Sequence, residues 1–98
     1  MFTIEFVSKR VEKEMNGFRK EEIITIQNVL EILTNNPRPL HLDYGSVNRC
    51  SEVKRIKAKR IRMFYTIDDK KGIIYIGKID NRDSHCYGKN IRTWFTAS

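Results

Sequence analysis

Phe2, Ile4 and Phe6 alternate with Thr3 and Glu5, a two-residue period that predicts a short strand with one buried face. From Val7 onward the period changes. Val7, Val11, Met15 and Phe18 recur at intervals of four, four and three, which predicts a helix, with Ser8 placed to cap it and Gly17 to end it. Ile23, Ile26, Leu30 and Leu33 repeat that spacing in a second helix, with Ile24, Val29 and Ile32 widening the stripe. Glu21 and Glu22 stand where the positive end of a helix dipole favours acidic side chains. Pro37 then stops the helix, because it disfavours helical dihedrals at Asn36 and lacks a backbone donor of its own. Residues 40–52, with Asp43-Tyr44-Gly45-Ser46, carry only weak periodicity and are expected to form a loop.

Alternation returns after that loop. Ile56 and Ala58 share one parity in 53–58, which leaves Arg55 and Lys57 on the opposite face. In 61–67 the apolar set is Ile61, Met63, Tyr65 and Ile67, opposite to Arg62, Phe64 and Thr66. The change of parity predicts a tight turn at Lys59-Arg60, which makes the two segments a hairpin with one apolar and one cationic face. Asp68-Asp69-Lys70-Lys71-Gly72 predicts a second turn, and 73–79 is apolar on both faces, as a strand with neighbours on both sides would be. The expected fold class is α+β. Two N-terminal helices pack on one face of a small antiparallel sheet, in the order β-α-α-β-β-β and within a single domain spanning 1–98.

Charge sharpens this picture. Residues 1–48 carry a net charge of −1 and residues 49–98 a net charge of +8, and six of the ten residues in 53–62 are basic. Like charges packed so closely destabilise a chain unless an anion meets them, so RNA or another polyanion is the expected ligand and an acidic protein the alternative. No apolar run approaches the length of a membrane span, and the N-terminus lacks the pattern of a secretory signal, so a cytoplasmic setting is expected. The two cysteines, Cys50 and Cys86, are too few for a disulfide-built scaffold. His41, Cys50, His85 and Cys86 lack metal-ligand spacing, and neither metal nor cofactor is expected.

The sequence offers no paired carboxylates, no Ser-His-Asp order and no glycine-rich phosphate loop. An enzyme built on this face must work with Lys, Arg, Tyr and His. Guanidiniums can hold a scissile phosphate and stabilise a pentacoordinate transition state, and RNA supplies its own nucleophile in the 2′-hydroxyl. Lys57, whose cationic neighbours disfavour its charged form, is the candidate base. Arg62 and Arg82 are candidates for the phosphate and the leaving oxygen, and Tyr87 or Phe64 for stacking on a base. Lys54, Arg55, Lys59, Arg60 and His85 complete the expected RNA-binding set. The rival reading is phosphate-backbone positioning without catalysis.

These residues resemble the RelE/ParE superfamily of small bacterial and archaeal toxins. Phe2-Thr3-Ile4-Glu5-Phe6 is similar to its first strand, and the helix ending at Asn36-Pro37 to its second helix. Arg55-Ile56-Lys57 and Arg62-Met63-Phe64-Tyr65-Thr66-Ile67-Asp68-Asp69 are similar to its paired basic strands, and Asn81-Arg82 with Tyr87 to its ending. The resemblance implies a RelE-like fold and a toxin of a type II toxin–antitoxin pair. In the RelE branch that means an mRNA interferase acting on the ribosome; in the ParE branch, a DNA gyrase inhibitor. It places Arg55 and Lys57 at the basic pair, Arg62 at the phosphate-stabilising arginine, Arg82 at the later arginine and Tyr87 at the stacking tyrosine. All five residue types are retained, which favours the RelE branch. The implied partners are an antitoxin, mRNA and the ribosome.

Overall fold

A computed structural model describes residues 1–47, 50–81 and 94–95. Seven elements follow one another: β1 (Thr3–Phe6), α1 (Lys9–Asn16), α2 (Lys20–Asn35), β2 (Asp43–Val47), β3 (Cys50–Ala58), β4 (Ile61–Asp68) and β5 (Ile73–Asn81). The strands form one sheet in the order β1-β5-β4-β3-β2. The fold is α+β as the periodicity indicates, with two differences. The segment read as a loop contains β2 and the start of β3, and β1 joins β5 in parallel, so the sheet is mixed. The helices carry the chain from β1 to the far edge, and four antiparallel strands then meander back until β5 meets β1 running the same way.

Local chemistry sets the helix ends. Ser8 occupies the N-cap of α1 in extended conformation, yet its hydroxyl makes no capping bond. α2 is capped by Glu22, whose carboxylate accepts the Arg19 N–H at 3.0 Å, and it ends at Asn36 before Pro37. No helix among the described residues is long and apolar enough to cross a membrane.

Val11 of α1 and Ile26, Val29 and Leu33 of α2 pack on Ile56, Ile61, Met63, Tyr65, Ile74, Ile76 and Ile79. Burying each such side chain contributes about 1.5–3 kcal/mol before chain entropy is charged against it. Ile24, expected in the helix stripe, is 50% exposed.

Tyr65 is fully buried and donates its hydroxyl to the Pro37 carbonyl at 2.8 Å, tying β4 to the end of α2. Burial, helped by the Tyr44 ring and opposed by Arg38, pushes the Tyr65 pKa well above the ordinary phenol value. The folded state therefore retains a proton that the unfolded chain releases above about pH 10. Stability should fall from that pH upward, by as much as about 1.4 kcal/mol per pH unit from this group. Urea midpoints between pH 8 and pH 11 should show a shallower alkaline decline in Tyr65→Phe than in the wild type. Equal slopes would remove Tyr65 as the cause.

Candidate functional site

The face of the sheet turned away from the helices is built by alternate residues of the β3–β4 hairpin. Val53, Arg55 and Lys57 share it with Arg62, Phe64 and Thr66, since Ile56 and Met63 point into the helix-side core. Register then decides which side chains meet. Lys57 stands directly opposite Arg62, and Arg55 opposite Phe64. Opposed residues have Cβ atoms about 4.5–5.5 Å apart and diagonal ones about 7–8 Å, so Lys57 and Arg62 can share one phosphate with Arg55 at its margin. Across the neighbouring strands, Asp43 of β2 faces Lys57 and Asp80 of β5 faces Arg62. One lateral row therefore reads Asp43, Lys57, Arg62, Asp80. The next reads Gly45, Arg55, Phe64, Lys78.

Lys78 and Asp80 reach this face because of a bulge. The β4–β5 register shifts between Phe64 and Tyr65, which pair with Lys78 and Ile76 and leave Gly77 as the extra residue. Without it, Lys78 would share the parity of Ile74 and Ile76 and point into the helix-side core. With it, Ile79 enters the core and Lys78 turns outward.

Beyond the bulge β5 has no β1 beside it, and α1 takes over its edge with side chains. Arg10 donates to the Gly77 carbonyl at 2.8 Å, and Glu14 accepts the Ile79 N–H at 3.2 Å. The same carboxylate pairs with the Lys78 ammonium at 2.6 Å and with Arg10 at 3.0 Å. Arg10 also donates to the Trp94 carbonyl at 3.2 Å, holding the turn at Trp94–Phe95 against the sheet. There Trp94 lies over Phe64 with ring centroids 5.0 Å apart, Lys78 sits 5.9 Å from the Trp94 ring centroid, and Val47, Val53 and Phe95 complete a small apolar cluster. A shallow cleft of about 430 Å³ continues from this corner between Lys13, Arg19, Lys78 and Asn81.

Gly77 is required by this packing, because a Cβ built there would overlap the Phe95 ring. Gly77→Ala should undock the Trp94–Phe95 turn while leaving the helix-side core folded. Trp94 is the sole tryptophan, so its emission should move to longer wavelength with little change in far-ultraviolet circular dichroism. An unshifted emission maximum would contradict the contact.

The candidates named from sequence fall into three groups. Arg55, Lys57 and Arg62 lie together on the face, with Lys59 and Arg60 exposed at the hairpin turn, where Lys59 adopts a left-handed φ of 57°. Two candidates differ from the rest. Lys54 projects from the helix side, its ammonium held by the Ser46 hydroxyl at 2.9 Å and the Ser51 carbonyl at 2.8 Å. Phe64 is on the expected face but only 2% exposed, because Trp94 covers the ring that was to stack on a base. Arg82, His85 and Tyr87 lie outside the described residues, as does Cys86. Sequence reasoning missed Asp43, Lys78 and Asp80. The glycine in an otherwise apolar strand was the one signal of the bulge that presents the last two.

No family model and no curated protein matches this sequence. Solved structures do. A chain of the archaeal RelE–RelB complex from Pyrococcus horikoshii OT3 superposes with a TM-score of 0.73 at 20% identity, over 84% of this chain and 96% of that one. The isolated E. coli RelE toxin gives 0.71 at 16% identity, over 95% and 98% of the two chains. The fold is that of RelE. The toxin–antitoxin complex RelBE2 from Mycobacterium tuberculosis is similar too, with a TM-score of 0.71 at 15% identity over 85% of this chain and 93% of that one. Over this RelE-like framework the helix-side core supports the sheet, and the opposite face carries the cations.

Proposed function

We propose that this chain is the toxin of a type II toxin–antitoxin pair and acts as a ribosome-dependent endoribonuclease in the cytoplasm. The observation that carries the reading is the cross-strand pair Lys57–Arg62 on the face turned away from α1 and α2, with Arg55 on the diagonal. The RelE-like fold adds to it.

In this reading Arg62 and Arg55 hold the scissile phosphate and offset the charge that builds on its equatorial oxygens. Lys57, directly across from Arg62, orients the 2′-hydroxyl and takes its proton as the oxygen attacks the adjacent phosphorus. The bond to the 5′-oxygen breaks and that oxygen takes up a proton from solvent water, leaving a 2′,3′-cyclic phosphate on one fragment and a 5′-hydroxyl on the other. Arg82 is assigned to the leaving oxygen and Tyr87 to base stacking, both by resemblance alone. The partner is an antitoxin, as in the RelE–RelB complexes of similar fold, with a segment that covers the basic face and displaces the Trp94–Phe95 turn.

Mapping transcript ends after brief induction tests the activity. New ends within translated regions, dependent on ongoing translation, support the interferase. Intact messages accompanied by DNA breaks would instead support a gyrase-directed toxin, and salt-dependent RNA binding without cleavage a passive binding module.

A further inference from the structure

Past Phe6 the strand β5 runs on without β1 beside it, and its last residues face the elbow between the two helices. Gly17 closes α1, its N–H shared by the Lys13 and Glu14 carbonyls. Phe18 then donates its N–H to the Met15 carbonyl, and Arg19 opens α2. The cleft of about 430 Å³ lies between this elbow and residues 78–81 of β5. That volume is within the range of small-molecule sites, about 300–1,000 Å³.

Three cations and three carboxylates line the cleft, and they are not equivalent. Glu14 is already matched, by Lys78 at 2.6 Å, by Arg10 and by the Ile79 N–H. None of the ion pairs among the described residues uses the other four, Lys13, Arg19, Glu22 and Asp80. The two cations are exposed, while the two carboxylates are half-buried. Glu22 spends one oxygen on the Arg19 N–H at 3.0 Å, and Asp80 spends one on the Asn81 N–H at 2.8 Å. Each keeps a second oxygen able to accept two more hydrogen bonds. Phe18, half-buried against the helix-side core, supplies an aromatic wall, and Gly17 adds no side chain to fill the space.

A bare anion would meet as many acids as bases here. The lining suits a ligand with an anion for the exposed cations, hydroxyl donors for the deeper carboxylates and a flat ring for Phe18. We propose that the cleft is a ribonucleotide-binding site: Lys13 and Arg19 take the phosphate, Glu22 and Asp80 accept from the ribose hydroxyls, and the base lies on Phe18. A carboxylate that accepts from the 2′-hydroxyl distinguishes a ribonucleotide from its deoxy form. The ligand can be a free nucleotide or one unit of an RNA chain, since both present the same groups. The site lies on the β1 side of β5 and uses neither the cations of the hairpin nor any cleavage step, so it stands apart from the proposed function.

Titration calorimetry on the full chain tests it, with 5′-AMP, 2′-deoxy-AMP, inorganic phosphate and the trinucleotide ApApA as probes, and amide chemical shifts locate the site. The wild type should bind AMP about fivefold or more tighter than 2′-deoxy-AMP, and about tenfold tighter than phosphate. The double variant Lys13→Ala, Arg19→Ala should weaken AMP binding by about tenfold, with an unchanged melting curve because both side chains are exposed. The double variant Glu22→Gln, Asp80→Asn keeps the acceptors for Arg19 and Asn81 and should reduce the preference over 2′-deoxy-AMP to about twofold or less. Amide shifts should fall on residues 17–19 and 78–81. ApApA binding tighter than AMP, and weakened by the same variants, assigns the cleft to a unit of an RNA chain; ApApA no tighter than AMP assigns it to a free nucleotide. Equal binding of AMP and phosphate, a preference unmoved by Glu22→Gln, Asp80→Asn, or shifts confined to residues 54–62 would overturn the site while leaving the proposed function in place.

Discussion

Inducing the Arg62→Ala variant is expected to leave messages almost intact, with transcript ends reduced by about 10²–10³-fold relative to the wild type, the usual loss when a donor to a developing anionic transition state is removed. Arg62 is singled out because it is flanked on both sides, by Lys57 at one hand and Asp80 at the other, which fixes it at the centre of the row. Arg62→Lys should fall between, since lysine keeps the charge but not the planar fork that engages two phosphate oxygens at once. Lys57→Ala should also lose about 10²-fold or more, through the proton transfer instead of the charge. Undiminished transcript ends in a folded Arg62→Ala variant would falsify the ribonuclease assignment.

How much of this was legible in the sequence depended on where each residue's partners lie. The parity switch around Lys59–Arg60 was readable because both hairpin strands bury one face, and a buried face writes itself as alternation. β2 was not readable. It is an edge strand joined to β3 on one side, and main-chain hydrogen bonds hold Asp43-Tyr44-Gly45-Ser46 without any hydrophobic period. The place of Asp43 beside Lys57 was invisible for the same reason. Asp80 and Lys78 were hidden differently: the bulge at Gly77 reverses parity within one strand, so simple alternation misplaces everything after it. Phe64 had the right parity and the wrong availability, because its cover comes from Trp94, thirty residues away in sequence, and no local pattern encodes a contact of that range. The α1 edge clamp has the same origin, since Arg10 and Glu14 look like an ordinary surface pair until β5 is laid beside them.

Glu14→Ala should destabilise the fold by about 2–4 kcal/mol, more than its place on a charged helix suggests. A surface ion pair of the Arg10–Glu14 kind is worth a few tenths of a kcal/mol at most. Glu14 differs because its carboxylate is only 17% exposed and receives three donors: Arg10, the Lys78 ammonium, itself 14% exposed, and the Ile79 backbone N–H. Alanine leaves Lys78 without its counter-charge and Ile79 without an acceptor, at the point where β5 has run past β1. The expected fall in melting temperature is about 10–25 °C for a chain of this size. Glu14→Gln keeps an acceptor for Ile79 and should cost roughly half as much. Both variants should also loosen Lys78 and Arg10 from the Trp94–Phe95 turn, so Trp94 emission should shift to longer wavelength below the main melting transition. A Glu14→Ala protein that melts within about 2 °C of the wild type would show that α1 holds the β5 edge by apolar contacts through Val11 and Met15 instead.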